Sequence, residues 1–328
     1  MNAAARILEA FSRYSALVIG DICLDRWCTY DPAATEPSRE TGIPRIGVIS
    51  TEVTPGAGGT VANNLAALGV GRVSVLGVIG DDGFGVELTR ALSVRNITTD
   101  LLVRAENVPT FTYTKLINRQ TGEEDQPRVD YLHTRDLPKS TEARVLDHLR
   151  LSFDEVDIVL VSDQSEIETG GVITAPVREL LAELGKTHPG KLIWVDSRIR
   201  GHLFRSVTLK PNEREASEAS QAAFGEVDYQ KLRRHIEART MFVTLGERGA
   251  LVVDDNGETL VRAPRDVRPV DICGAGDSFT AGAALALAIT NDPLLAARFG
   301  NTVASITVTK KGTGTASAPE VIAAWGEE

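Results

Sequence analysis

Short apolar runs bounded by Gly or Asp recur along this chain, at 16–20, 73–77, 156–161, 192–196, 206–209 and 241–245. They are continuous rather than alternating. A strand gains from being apolar on both sides only where both sides are covered, as in a parallel sheet flanked by helices. Stretches of helical character lie between the runs, at 61–68, 85–95, 172–184 and 229–239. Strand and helix alternating in this way predict a doubly wound α/β domain. In such sheets ligands bind at the carboxyl ends of the strands, so the residues just after each run are the first to inspect.

Two stretches interrupt the rhythm, 26–52 and 109–132. Both are rich in Thr, Pro, Arg and β-branched residues, without helical periodicity. Residues 111–117 alternate like a half-exposed strand, Thr121-Gly122 offers a turn, and 128–131 can return. Together they read as a small β flap beside a body made of 1–25, 53–108 and 133–328; two ordinary surface loops are the alternative. Asn256-Gly257, between apolar segments 251–253 and 259–261, predicts a type I′ hairpin.

Composition narrows the partners. The chain carries 45 Asp and Glu against 35 Lys and Arg, a net charge of −10. That field repels phosphate backbones, and Lys310-Lys311 is the only adjacent lysine pair, so no nucleic acid is expected. The longest apolar run, 281–289, is half a membrane span, and no apolar segment follows Met1. Three cysteines are too few for a disulfide scaffold. A cytoplasmic protein without membrane contact is the expectation. His133, His148, His188, His202 and His235 have no metal-ligand spacing and read as surface residues.

The most informative segment is 271–279. Gly274 and Gly276 let backbone N–H groups point outward where a small-residue helix starts and its dipole is positive. The segment is either an anion hole or a well-capped buried helix with Asp277 as a stabilising first-turn acid. Upstream, Asn212 and Glu215 follow a strand three residues apart and face the same way on a helix start. They could organise hydrated Mg²⁺, or simply cap the helix. Thr244, Gly246 and Gly249 also follow a strand end, where glycine lets a nucleotide pass close to the backbone or makes a tight turn. Near the amino terminus, Asp21 and Asp25 leave the first strand, and the glycine-rich stretch 55–60 opens a helix through Asn63-Asn64. Acids and amides at strand ends suit a polyhydroxy ligand; Asp25 is favoured for contact, and Asp21 for a turn. Arg26, Arg39, Arg128 and Arg198 either hold a phosphate on that ligand or make structural ion pairs. Neither common nucleotide fingerprint is present. Gly185-Lys186-Thr187 lacks the first P-loop glycine, and the glycines of 80–85 are in the wrong order for a dinucleotide site.

Taken in this order, the segments resemble the PfkB, or ribokinase-like, family of carbohydrate kinases from about Leu17 onward. The signatures are the glycine-rich stretch 55–69 and Asp271-x-x-Gly-Ala-Gly-Asp277, preceded by Lys-Pro-Asn-x-x-Glu and Thr-Leu-Gly. Segments 20–26, 55–56 and 128–130 look most like the heptose-phosphate kinase branch. The resemblance implies a ribokinase-like three-layer αβα sandwich with a mostly parallel sheet and a small β lid, often a homodimer made through the lids. It implies ATP and Mg²⁺, and a sugar or sugar phosphate as acceptor. Asp277 would be the base, with the N–H groups of Gly274, Ala275, Gly276 and Asp277 neutralising the transferred phosphate. Asn212 and Glu215 would serve Mg²⁺ and the phosphates, and Thr244, Gly246, Gly249 and Asn301 the nucleotide. Asp25, Gly58, Gly59, Thr60, Asn64 and Arg128 would face the acceptor. Asp271 lies where some members hold a monovalent cation such as K⁺. Phosphoryl transfer needs positioning and charge stabilisation more than covalent chemistry, and an Asp of ordinary pKa, about 3.9, is ionised at neutral pH.

Two departures fall on the acceptor side. Thr60 stands where the family usually has a sugar-binding Asn, and Asp163-Gln-Ser-Glu166 replaces a Tyr-Gly-Lys-Gly-like stretch of the heptose branch. They motivate an alternative, a non-catalytic sugar or nucleotide sensor on the same fold.

Overall fold

The computed structural model describes residues 2–34, 36–265 and 267–326. Positions 1, 35, 266, 327 and 328, which belong to the segments assigned above to body and flap, lie outside the described residues. In chain order the strands are β1 (Ser15–Gly20), β2 (Ile22–Tyr30), β3 (Val48–Ala57), β4 (Arg72–Leu76), β5 (Val78–Gly80), β6 (Ile97–Thr98), β7 (Val103–Ala105), β8 (Thr112–Asn118), β9 (Val129–Tyr131), β10 (Ile158–Asp163), β11 (Leu192–Ser197), β12 (Thr208–Leu209), β13 (Met241–Thr244), β14 (Ala250–Asp254) and β15 (Gly257–Val261).

The main sheet is parallel, in the order β12-β11-β10-β1-β4-β6. From β1 the chain runs one way to β4 and β6, then returns to the other side through β10, β11 and β12. The order therefore reverses between β1 and β10, where a crevice opens at the carboxyl ends. Alternate residues of β1 feed the two faces: Ala16 and Val18 enter one buried cluster, Leu17 and Ile19 the other. This is why the strand runs are apolar throughout.

The run at 241–245 departs from expectation. β13 joins an antiparallel sheet with β14 and β15. A single parallel bridge, Asn212 with Thr244, links it to the segment after β12. Pro211 has no N–H to extend a ladder, and its carbonyl accepts from the Thr244 N–H at 3.0 Å. The hairpin after β14 forms, but its turn is not type I′. Only Gly257, paired with Asp254, has positive φ (122°), while Asn256 does not. The Asp254 carboxylate accepts from the Asn256 N–H at 2.8 Å, closing the loop from its first residue, and the positive φ falls on the glycine.

A separate four-stranded sheet, in the order β3-β2-β8-β9, stands over the crevice. Only Asp21 separates β2 from β1, and the strands reach beyond 26–52, from Ile22 and as far as Ala57. Register lines Thr54, Asp25, Tyr113 and Asp130 across it.

Candidate active site

The 16-residue helix Ala275–Thr290 is packed with small residues and buried for most of its length. It starts at Gly274, whose φ of 76° is a left-handed turn that a side chain would strain; a Cβ there would also press on Thr60 and Thr313. The turn presents the first N–H groups of the helix, with Asp277 in the first turn.

Beneath the turn lies Lys210, the residue that follows β12. It is 3% exposed, and its Nζ is 2.5 Å from Asp196 Oδ2 at the end of β11. A Cβ on Gly276 would stand 3.4 Å from that nitrogen, so the ammonium faces the glycine turn. Burial alone would lower the Lys210 pKa, but Asp196, Glu215 and Asp277 together raise it. Burial raises Glu215, with Asp196 adding to the effect. Asp277 is pushed up to about 7, by burial first and then by Asp196, against the pull of Lys210. The expectation of an ordinary carboxylate is thereby corrected: Asp277 is one of three acids crowded around one buried cation.

Asn212 caps the helix Glu213–Phe224 in a reciprocal box. Its Oδ1 accepts from the Glu215 N–H at 2.9 Å, and Glu215 Oε2 accepts from the Asn212 N–H at 2.8 Å. The other Glu215 oxygen stays uncommitted. No cage of three or more His, Cys, Asp or Glu able to ligate a metal exists among the described residues. A cation held through its water shell fits this donor set, as Mg²⁺ prefers.

Above the turn is a cavity of about 200 Å³, walled by the four-stranded sheet and the glycine turn. Asp25, Thr60, Tyr113, Lys115, Arg198 and Asp277 are among its lining residues. Burial pushes Asp25 up to about 6, with Lys115 and Arg128 pulling the other way. Arg128 borders the cavity with its guanidinium over the Tyr113 ring, 5.1 Å from the centroid, and 2.7 Å from Asp130.

Several residues singled out from the sequence lie elsewhere. Gly58 and Gly59 pack on Ile22 and Pro55, and buried Asn64 donates back to the Thr60 carbonyl at 3.0 Å. Arg26 borders the cavity, but its guanidinium turns to Glu87 at 3.5 Å and to the Phe84 ring, since alternate residues of β2 face opposite sides. Arg39 is exposed. Asp21 accepts from the Gln164 and Val172 N–H groups at 2.8 and 2.9 Å, and so pins two loops. Asp163 is spent on Arg200 and Ser197. Gly249 is needed because a side chain would collide with Val261 and Ala263, and Asn301 donates to the Val261 carbonyl at 2.9 Å. Both fix the edge along which Thr244 and exposed Gly246 lie. Asp271 accepts from the Cys273 and Gly312 N–H groups at 2.9 and 3.1 Å, tying two loops beside the glycine turn. The histidines are not all on the surface: His133 is 8% exposed, held by the Pro109 carbonyl.

Lys210, Asp196, Tyr113, Lys115 and Gln164 were not singled out in the sequence. Some signal was there. Tyr113 and Lys115 share a parity on the alternating strand, and Asp196 closes an apolar run.

The pfkB family carbohydrate kinase model matches residues 17–320. The Caulobacter sp. (strain K31) bifunctional protein HldE is 33% identical over 327 residues, covering 97% of this chain. The chain spans 64% of that relative's length. Among solved structures, Thermotoga maritima ribokinase superposes with a TM-score of 0.69 at 24% identity, over 95% of this chain and 99% of its own. Arabidopsis thaliana ribokinase, complexed with ribose and ATP, gives 0.70 at 20% identity, over 96% and 99%. Both structural likenesses show the fold, a ribokinase-like parallel sheet between helix layers with a small separate sheet. A glycine turn above a buried lysine, on that fold and within that match, places the chain in the pfkB family of carbohydrate kinases.

Proposed function

We propose that the chain transfers the γ-phosphate of ATP to a hydroxyl of a sugar or sugar phosphate. The observation that carries this reading is Asp277 itself. It stands at the start of a buried helix, borders the same cavity as Asp25, and is poised near pH 7. A base is most effective when its pKa is near the working pH. Asp25 orients the acceptor so that one hydroxyl meets Asp277, which takes its proton as the oxygen attacks the γ-phosphorus and the bond from that phosphorus to the β,γ-bridging oxygen breaks, releasing ADP. The N–H groups of 274–277 and the Lys210 ammonium stabilise charge on the transferred phosphoryl. Thr244 and Gly246 border the nucleotide's path, with Gly249 and Asn301 behind them.

Asn212 and Glu215 would hold Mg²⁺ through water, and the ion would supply neutralisation of phosphate charge. The Asp271 oxygens keep lone pairs beside their two backbone bonds, so the carboxylate suits a monovalent cation such as K⁺. The exposed face of the four-stranded sheet, including Val48, Ile49 and Val129, is where two copies would meet. No helix among the described residues is long and apolar enough to cross a membrane.

ADP release over a panel of sugars and sugar phosphates tests the reading. Asp277→Asn should abolish turnover while ATP still binds; near-normal turnover in that variant would sink the mechanism, and ATP or sugar binding without turnover in the wild type would favour a sensor.

A further inference from the structure

Two threonines from different elements meet at the glycine turn. A Cβ built on Gly274 would stand 3.3 Å from the Thr60 methyl and 3.4 Å from the Thr313 methyl. The side of this left-handed glycine where a side chain would project is thus filled by two methyl groups. One comes from the helix Gly58–Ala67, the other from the loop after the helix Pro293–Thr307. Both threonines border the cavity that Asp277 borders.

Their hydroxyls turn to a different partner. The Thr313 hydroxyl lies 3.4 Å from that of Thr54, and Thr60 Oγ1 donates to the Pro55 carbonyl at 3.2 Å. Thr54 and Pro55 are consecutive residues of β3, so both threonines join the turn to one point of the four-stranded sheet. A third contact runs the same way. A Cβ on Gly312 would stand 3.8 Å from the Trp27 ring on β2.

The junction that Thr60 spans is strained. Ala57, between β3 and the helix, has φ of 50° and ψ of −121°, which alanine rarely adopts. Such a conformation persists only where its surroundings over-determine it. The Thr60 hydroxyl, reaching back across Ala57 to Pro55, is one bond that does so. The Gly58 N–H, donating to the Asp21 carbonyl at 3.0 Å, is another.

We propose that Thr60 and Thr313 are positioning residues whose methyl groups brace the glycine turn and whose hydroxyls tie it to the sheet over the cavity. This rests on the sugar-kinase reading and adds how the two halves of that site are kept in register. The methyls serve the phosphate side, because open space beside Gly274 would let the N–H groups of the turn swing out of place. The hydroxyls serve the acceptor side, because Thr54 on β3 is the register partner of Asp25 on β2.

Substitution separates the two halves of each threonine. Thr60→Ser with Thr313→Ser keeps the hydroxyls and removes the methyls, while Thr60→Val with Thr313→Val does the reverse. Hydrogen exchange in the ligand-free full chain, read by mass spectrometry, should speed up about fivefold or more over 271–279 in the serine pair. In the valine pair the same increase should fall on 48–57 instead. ADP release from ATP and Mg²⁺ is then measured over a panel of sugars and sugar phosphates. With the best acceptor, the serine pair should lower kcat about tenfold and leave the acceptor KM within about twofold. The valine pair should raise the acceptor KM about fivefold and leave kcat within about twofold. The single Thr313 variants, at a half-buried position, should show part of each change and stand in for a pair that does not fold. Exchange that rises in both segments or in neither, or kcat and KM that move together, overturns the brace and leaves the kinase reading in place. The expected exchange pattern in a chain that releases no ADP with any acceptor upholds the brace and fells the kinase reading.

Discussion

The Lys210 ammonium lies 2.5 Å from the Asp196 carboxylate at one end and faces the Gly276 turn at the other. One buried cation, just after β12, thus joins the acidic end of β11 to the start of the helix that carries Asp277. It lowers the Asp277 pKa, which burial and Asp196 raise. On the proposed reading, a chain with net charge −10 binds its anion locally, at backbone N–H groups beside a single buried lysine.

Replacing that lysine should have two separable effects. Lys210→Met leaves Asp196 buried and unpaired, which should cost about 3–5 kcal/mol in urea unfolding. It also removes the pull that lowers Asp277, so the midpoint of the pH–rate profile should move above 7 as kcat falls by about 100-fold or more. A lysine with only a structural role would change stability and leave the midpoint in place.

The Asp25 carboxyl lies against Gly56 of the neighbouring strand β3. A Cβ on Gly56 would overlap the Asp25 carboxyl group, all three of its outer atoms lying within 3 Å. Gly56→Ala should therefore push Asp25 out of position without touching the nucleotide side. The acceptor KM is expected to rise about tenfold or more with the ATP KM unchanged. Equal change in both constants, or none in either, would remove Asp25 from acceptor binding. Asp25→Ala gives the limiting case, with activity lost or the acceptor KM raised further.

Much of this arrangement is legible before folding, for a physical reason. Strand runs are apolar on both sides because both faces of the sheet are covered, as the division of Ala16 and Val18 from Leu17 and Ile19 shows. The glycine turn at 274–277 is legible because its backbone geometry needs particular residues. Other features depend on neighbours far along the chain. Lys210 is only the first residue of a motif, with no role of its own, until β11 brings Asp196 beside it. Asn64 seems a polar ligand-binding residue until the helix Gly58–Ala67 turns it inward to the Thr60 carbonyl. Arg26 and Arg198 differ in what faces them, Glu87 on one side of β2 and Gln164 with Glu166 across the cavity. A sequence shows the charge of an arginine; only the fold shows whether an acid has already claimed it.

The raised acids make activity and stability run in opposite directions with pH. Asp277 is pushed from 3.8 up to about 7, and Asp25 from 3.8 up to about 6. Both shifts favour the protonated carboxyl in the folded state. Between the unfolded value and the folded one the native protein binds more protons than the unfolded chain, so stability falls as pH rises through that window and levels off above about 7. The acceptor kcat/KM should do the opposite, climbing as Asp277 ionises and reaching a plateau above about 7, since this ratio reports the free enzyme. Urea unfolding from pH 4.5 to 8, for the wild type and Asp277→Asn, checks the first half. The variant should gain stability over the wild type by a margin that grows with pH and then flattens. A pH-independent margin, or a kcat/KM flat from pH 5.5 to 8, would show that Asp277 keeps an ordinary carboxylate pKa in the folded protein.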